Sequence, residues 1–280
     1  MSRRESEGNM KRLDFTTIIL IILVTLAMSC IALAFRPVIL KMEKQQEIDQ
    51  ELEKFQETTE AIQLEMENTP VPSPEATAVP EIVPYSDLYT DILRYNLHLF
   101  PSRQAELNSK SAYEHSSFVL TDYGLPDEIF GVITIPKIDV EMLLYLGASE
   151  LNMANGAAVL AQTSIPIGGL DTNAVVAGHR GYSGYKYFKD IDQLEIGDEV
   201  IIKNLWRELH YRVVDIQVVL PNGVESILIQ PGKELITLLS CHPYASGGKY
   251  RYLVIFSVNE SKILNWNIIC SWRFSIACCK

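Results

Sequence analysis

Between residues 130 and 257 the chain is built from short β-branched or aromatic runs cut by turn residues, and this limits its fold more than any other feature. The runs are "FGVITIP" (130–136), "VEMLLYL" (140–146), "NAVVAG" (173–178), "EVIIK" (199–203), "HYRVVDIQVVL" (210–220), "SILIQ" (226–230), "ELITLLS" (234–240) and "YRYLVIFS" (250–257). Gly, Pro and Asn-Gly turns separate them, as expected of strands joined by tight connections. Eight strands in so short a span predict an all-β domain over 130–260, closed or nearly closed into a barrel. Between them "YKYFKDIDQL" (185–194) predicts one short helix, with Gly197-Asp198 as its stop. Upstream, Leu88, Ile92, Tyr95 and Leu99 fall at helical spacing, so residues 85–120 predict one or two helices ahead of the barrel.

The N-terminus obeys a different rule. Residues 15–35, "FTTIILIILVTLAMSCIALAF", carry no charge and lie between Asp14 and Arg36. About 20 apolar residues are needed to cross a bilayer as a helix, and a cleaved signal peptide has a shorter apolar region. Although Ala32 and Ala34 resemble a cleavage site, the length favours a transmembrane anchor over 15–35. Arg3, Arg4, Lys11 and Arg12 precede it, and Arg36, Lys41 and Lys44 follow, so charge alone orients it weakly. The expected topology is single-pass, with 1–14 cytoplasmic and the bulk outside.

The next segment, 36–84, reads as a stalk and spacer. Residues 43–67 hold a net charge of −7, most of the chain's −11, so the acidity says little about a substrate. Ile48, Leu52, Phe55, Thr59, Ile62 and Met66 alternate at spacings of 4 and 3, a heptad-like stripe. A solvated helix is the expectation, with a short dimerising coiled coil as the alternative. Pro70, Pro72, Pro74, Pro80 and Pro84 then make a semi-rigid spacer. Anchor, stalk and spacer together hold a domain away from a membrane surface.

No Walker loop, GxGxxG or HExxH occurs, and no metal, cofactor or nucleic-acid partner is expected. Of the five cysteines, Cys30 lies in the apolar run and Cys270, Cys278 and Cys279 in the tail, leaving Cys241 alone in the barrel. A lone thiol outside the cell is unusual, because oxidising surroundings favour disulfides or none. It is either a small buried hydrophobe or a nucleophile. A free thiol, with its pKa of about 8.5, needs a base or a cation beside it to react at neutral pH.

Five histidines are candidates for that base. His98 and His115 read as exposed, and His210 as facing solvent or a neighbouring strand. His242 adjoins Cys241, but successive strand residues face opposite ways; Pro243, which ends the strand, keeps it a candidate. His179 ends "NAVVAG" between Gly178 and Gly181, open to a cleft at a strand end. Arg251 follows Cys241 by ten residues, and Gly247-Gly248 permits the turn that would bring a guanidinium to the thiol as an oxyanion donor. Arg180 should point away from His179, and Arg212 reads as buried and structural.

The segments "VVAGHRG" (175–181), "ITLLSC" (236–241) and "YRYLV" (250–254) resemble, in that order, the His, Cys and Arg motifs of sortases, the membrane-anchored cysteine transpeptidases of Gram-positive cell surfaces. "GVITIPKIDV" (131–140), "LYLGAS" (144–149), "GAAVLAQTSIPIGG" (156–169) and "YFKDIDQLEIGDEVII" (187–202) fit as well. "TSIPIGG", "AGHRG" and the long N-terminal extension resemble most the class C, pilus-assembling group.

The resemblance implies the eight-stranded sortase barrel with short helices. It implies that Cys241 attacks the Thr–Gly bond of an LPxTG-like sorting signal to form a thioester, which a pilin lysine resolves; cell-wall cross-bridge amines do so in anchoring enzymes. His179 would exchange the proton and Arg251 stabilise the oxyanion, with Ser240, Gly178, Gly247 and Gly248 around the substrate. Ser240 stands where the motif usually has Thr, and the Asp-Pro-aromatic of class C lids is missing. Residues 85–129 are the lid-like region, with "YGLPDEIF" (123–130) or the polar loop 101–122 as the covering segment. The apolar tail 261–280, interrupted by Arg273, reads as a shortened membrane segment, an interfacial anchor or an end unlike that of its relatives. An anchored module that kept the barrel and lost catalysis, and a peptidase in which water resolves the thioester, are the competing readings.

Overall fold

The computed structural model describes residues 15–68, 84–102, 104, 107, 113–116, 118–181 and 185–258; the tail 261–280 and most of the Pro-rich spacer lie outside these. The chain divides into two units, residues 1–50 and 51–280. In the first, helix α1 (Phe15–Asn68) begins with an exposed apolar stretch long and hydrophobic enough to cross a membrane, with a mean hydropathy of 2.9.

In the second unit eight strands close a barrel: β1 (Ile129–Ile135), β2 (Val140–Leu146), β3 (Ala157–Val159), β4 (Thr172–Ala177), β5 (Glu199–Asn204), β6 (Glu208–Val219), β7 (Glu234–His242) and β8 (Tyr250–Val258). Their order around the barrel is β1-β2-β3-β4-β7-β8-β6-β5, with β5 pairing back onto β1. The pairs β2–β3 and β4–β7 are parallel, and the others are antiparallel. Ile133, Leu143, Val175, Leu238 and Phe256 are buried inside. Each such burial contributes roughly 1.5–3 kcal/mol, and closure removes the exposed edges that would otherwise invite pairing.

Two strand expectations fail in opposite directions. "SILIQ" is not a strand: a 3-10 turn (Val224–Ile227) runs into an irregular segment. Ile227 and Ile229 are still buried, because side chains replace the missing ladder. Asn173 Nδ2 donates to the Ile227 carbonyl (3.0 Å), and the Ile229 amide donates to Gln104 Oε1 (2.8 Å). Conversely, Ala157–Val159 forms β3, whose alanines carry little β-propensity. The helix expected over 185–194 is a turn followed by a single 3-10 turn (Ile191–Gln193), with Tyr187 at φ 40°.

Helix α2 (Ser86–Leu99) buries Leu88, Ile92 and Leu99. Asn96 fastens it by giving Nδ2 to the Ile165 carbonyl and taking the Ile165 amide, both at 2.9 Å. The middle of the heptad-like stripe is not a solvated face. Phe55, Thr59 and Ile62 are buried within the second unit, so those positions are covered by the chain itself rather than held for a coiled-coil partner. Gln56 donates to Glu141 (3.1 Å), and Leu125, Pro126 and Ile129 line a small cavity with Phe55 and Thr58. "YGLPDEIF" therefore packs against α1. A short helix, α3 (Glu150–Asn155), is capped by Ser149, whose hydroxyl accepts the Asn152 amide. Arg212, expected to be buried, is exposed and donates to the Gly197 carbonyl (3.0 Å).

Candidate active site

Cys241 lies on the next-to-last residue of β7, directly opposite Arg251 in the antiparallel register with β8. The intervening turn carries Gly247 (φ 71°) and Gly248 (φ 79°), conformations that glycine reaches without the penalty of a side chain. Space gives the second reason for Gly248: a Cβ there would stand 2.9 Å from Arg251 Nη1 and 3.2 Å from Cys241 Sγ. The guanidinium approaches the sulfur at 3.8 Å and is held by the Gly248 (2.9 Å) and Tyr250 (3.3 Å) carbonyls, all through Nη1.

His179 arrives from the neighbouring strand. β4 pairs in parallel with β7 as far as Ala177 and Leu239, and the Gly178 amide then donates to the Leu239 carbonyl (3.1 Å). This carries the next residue to the level of Cys241. The His179 carbonyl accepts the Phe188 amide (3.0 Å), while its ring meets Tyr187 edge-on. Half-burial pushes the imidazole pKa below its ordinary value, favouring the neutral ring. His179 and Cys241 line one open cleft of about 230 Å³, together with Arg180, Gly181 and the turn Pro243–Gly248. Arg251 is not among its walls; it meets the sulfur from β8.

The other expected site residues divide. Gly247 and Gly248 are at the cleft, whereas Ser240 and Gly178 are structural neighbours of each other: buried Ser240 donates its hydroxyl to the Gly178 carbonyl (2.8 Å). A Cβ on Gly178 would lie 2.5 Å from the Phe188 ring, so this glycine admits the aromatic ring beneath the His179 segment. His242 sits against Tyr252 with ring centroids 5.3 Å apart and its Nδ1 3.3 Å from Arg180 Nη1. His98 and His115 are exposed, and His210 lies between Glu199 and Glu208.

Part of the polar loop 101–122 lies on the Arg251 side. Leu107, 1% exposed, is packed with Leu160, Val175, Ala177, Ile227 and Leu253. Tyr113 joins this cluster and accepts the Ala148 amide on its carbonyl (2.8 Å). Burial raises its phenol pKa, and the nearby Arg251 charge offsets part of that rise. Nothing in the loop's sequence marks these two residues; Leu107 is a lone apolar side chain between polar ones.

A family profile described as Sortase domain matches residues 133–258. Clostridium perfringens sortase C, solved with the C-terminal cell wall sorting motif, is 32% identical, with a TM-score of 0.53 over 65% of this chain and 92% of that one. Sortase C1 of GBS pilus island 1 is 25% identical, with a TM-score of 0.57 over 73% of this chain and 98% of that one. Sortase A of Bacillus anthracis is 29% identical over 127 residues, which is 45% of this chain. That match spans 58% of the Bacillus protein's own length, under two thirds.

A closed eight-stranded barrel with a cysteine, a histidine and an arginine gathered at one end matches the fold of these sortases. This chain belongs to the sortase family, and within it the likeness is to the class C, pilus-related members.

Proposed function

We propose that this protein is a transpeptidase that cleaves an LPxTG-like sorting signal between Thr and Gly and passes the acyl group to an amine. The observation that carries this is the pairing of Cys241 with Arg251 across β7–β8, 3.8 Å from sulfur to guanidinium, at the mouth of a cleft that also holds His179. Cys241 Sγ attacks the threonine carbonyl carbon as its proton passes to the neutral His179 ring. The carbonyl becomes an oxyanion, and the guanidinium edge not engaged by the Gly248 and Tyr250 carbonyls donates to it. The C–N bond breaks, and His179 returns the proton to the departing glycine amine. A lysine amine of a pilin subunit then attacks the thioester carbon, gives its proton to His179, and releases the thiol. Water attacking in its place would give hydrolysis only.

The pilin acceptor is favoured over a cell-wall cross-bridge by the likeness to pilus-related sortases. The apolar start of α1 would hold the enzyme in the cell membrane with its barrel outside, where both substrates are displayed. In this scheme 15–35 anchors, 36–84 links the anchor to the domain with Phe55, Thr59 and Ile62 buried in it, 85–129 supports the barrel and 130–260 carries the chemistry.

The test uses the full chain in detergent with a sorting-signal peptide and a lysine-bearing acceptor. Mass spectrometry is expected to show an acyl adduct on Cys241 and a peptide joined to the acceptor amine. Cys241→Ala should retain the fold and lose both products; ligated product from that variant would refute the proposal. Adduct without transfer to any amine would reduce it to a peptidase.

A further inference from the structure

We propose that Arg180 is a positioning residue that locks the thiol-bearing end of β7 to the segment carrying His179, and so sets the spacing between thiol and imidazole. The inference rests on the roles proposed above for Cys241 and His179.

The parallel β4–β7 ladder ends just before the site. Its last pair is Ala177 with Leu239, followed by the Gly178 amide to the Leu239 carbonyl and the Ser240 hydroxyl to the Gly178 carbonyl. The next link is made by Arg180, the residue after His179. Its side chain is 4% exposed, and its guanidinium divides its donors between two stretches of chain, the connection before β5 and the end of β7. Nε donates to the Lys189 carbonyl (2.9 Å), and Nη1 donates to the carbonyl of Cys241 itself (3.4 Å). Nη2 forms an ion pair with Asp192 in the turn before β5. The group also lies over the Tyr252 ring, 5.5 Å from its centroid.

One planar fork therefore binds the nucleophile's main chain, the turn behind His179 and a counter-charge. An ammonium offers donors from a single point and cannot reproduce that spread. The same fork accounts for His242. A guanidinium has donors only, so its 3.3 Å contact with His242 Nδ1 is a hydrogen bond when that nitrogen is the acceptor. His242, the nearest histidine to Cys241 in sequence, is thereby engaged by Arg180 and Tyr252 rather than by the thiol.

The experiment compares wild type, Arg180→Gln, Arg180→Lys and His179→Ala in the full chain. Peptide turnover is read as kcat and KM separately. The pH profile of iodoacetamide alkylation at Cys241, read by peptide mass spectrometry, needs no peptide substrate. Misplacing a reacting group by about 1 Å can cost ~100-fold, so Arg180→Gln is expected to lose about that in kcat with KM within about threefold. Its alkylation profile should move toward that of His179→Ala, and Arg180→Lys should fall between Gln and wild type. Should Arg180→Gln fail to fold, Arg180→Lys decides by the same readouts. Wild-type kcat per alkylatable site together with a wild-type profile in the Arg180 variants overturns the inference and leaves the proposed function standing. Wild-type protein that turns over no sorting peptide overturns the proposed function instead, and the alkylation profile then still decides on Arg180.

Discussion

The two ends of β7 put similar residue types to opposite uses. At its start Glu234 is enclosed: Tyr211 donates its hydroxyl to Oε1 and the Gly169 amide donates to Oε2, both at 2.9 Å, with Arg207 adding its charge nearby. At its end Cys241 meets Arg251 at 3.8 Å beside an open cleft. The acid end spends its polar groups on one another and ties β6 and the β3–β4 connection to the strand. The thiol end keeps a sulfur, with a cation against it from β8, facing a space where a third group can enter. A polar cluster stabilises when its bonds are closed internally and becomes chemically useful when one bond is left for a ligand.

The largest effect that tests this contrast should come from Arg251. Loss of one oxyanion donor typically costs 10²–10³-fold in kcat, and Arg251→Ala is expected to fall in that range. Its thermal midpoint should stay near that of wild type, because the side chain's bonds go to carbonyls of its own turn. At the other end, Glu234→Ala strips the partner from fully buried Tyr211 and should cost about 1–3 kcal/mol of stability while leaving kcat per folded molecule unchanged. Turnover and melting curves on both variants decide it. If Arg251→Ala lost stability and kept its rate, the assignment of the two ends would be reversed.

A smaller contrast separates two glycines. An added Cβ on Gly248 meets the two groups proposed to react, Arg251 Nη1 at 2.9 Å and Cys241 Sγ at 3.2 Å, in a left-handed conformation. On Gly178 it meets the Phe188 ring first, at 2.5 Å. Gly248→Ala should therefore lower kcat by about tenfold or more through displacement of those groups. Gly178→Ala should lower stability by about 1–3 kcal/mol through overpacking. Equal losses of rate per folded molecule in the two variants would contradict this division.

Legibility in the sequence followed the same physics. Strands paired by ladders announced themselves through alternation, and the Cys241–Arg251 pairing was readable because a Gly-Gly turn between two strong strands leaves little freedom of register. "SILIQ" misled because side chains of Gln104 and Asn173, distant in sequence, took over its backbone groups. β3 was missed because Gly-Ala-Ala-Val buries small residues that no propensity favours. Adjacency to Cys241 and His179 suggests Ser240 and Gly178 as substrate contacts, but the folded chain turns them inward onto each other. The contacts of Arg180 are hidden for a related reason: its partners Asp192, Lys189 and the Cys241 carbonyl come together only after β4 and β7 have paired. The covered stripe on α1 carried a heptad signature, and spacing alone does not say which surface covers it.

The smallest effects lie in the pH dependence of stability, where the two ends of β7 should tilt in opposite senses. Burial raises the pKa of Glu234 despite its two hydrogen bonds, so folding favours its protonated form. Its share of stability is complete below the ordinary carboxyl pKa of about 4.3 and is lost as pH rises through the raised folded value. Burial lowers the pKa of His179, so folding favours the neutral ring. Its share is complete above the ordinary imidazole pKa of about 6.5 and is lost as pH falls through the depressed folded value. Glu234→Gln and His179→Gln each remove one titration. The wild-type melting temperature relative to Glu234→Gln should therefore fall as pH rises from about 4.3, whereas relative to His179→Gln it should fall as pH drops below about 6.5. Melting curves in matched buffers from pH 4 to 8 read both differences. A flat difference for either variant would mean that its group keeps the same pKa folded and unfolded, and that burial at that end of the strand is too slight to set a charge state.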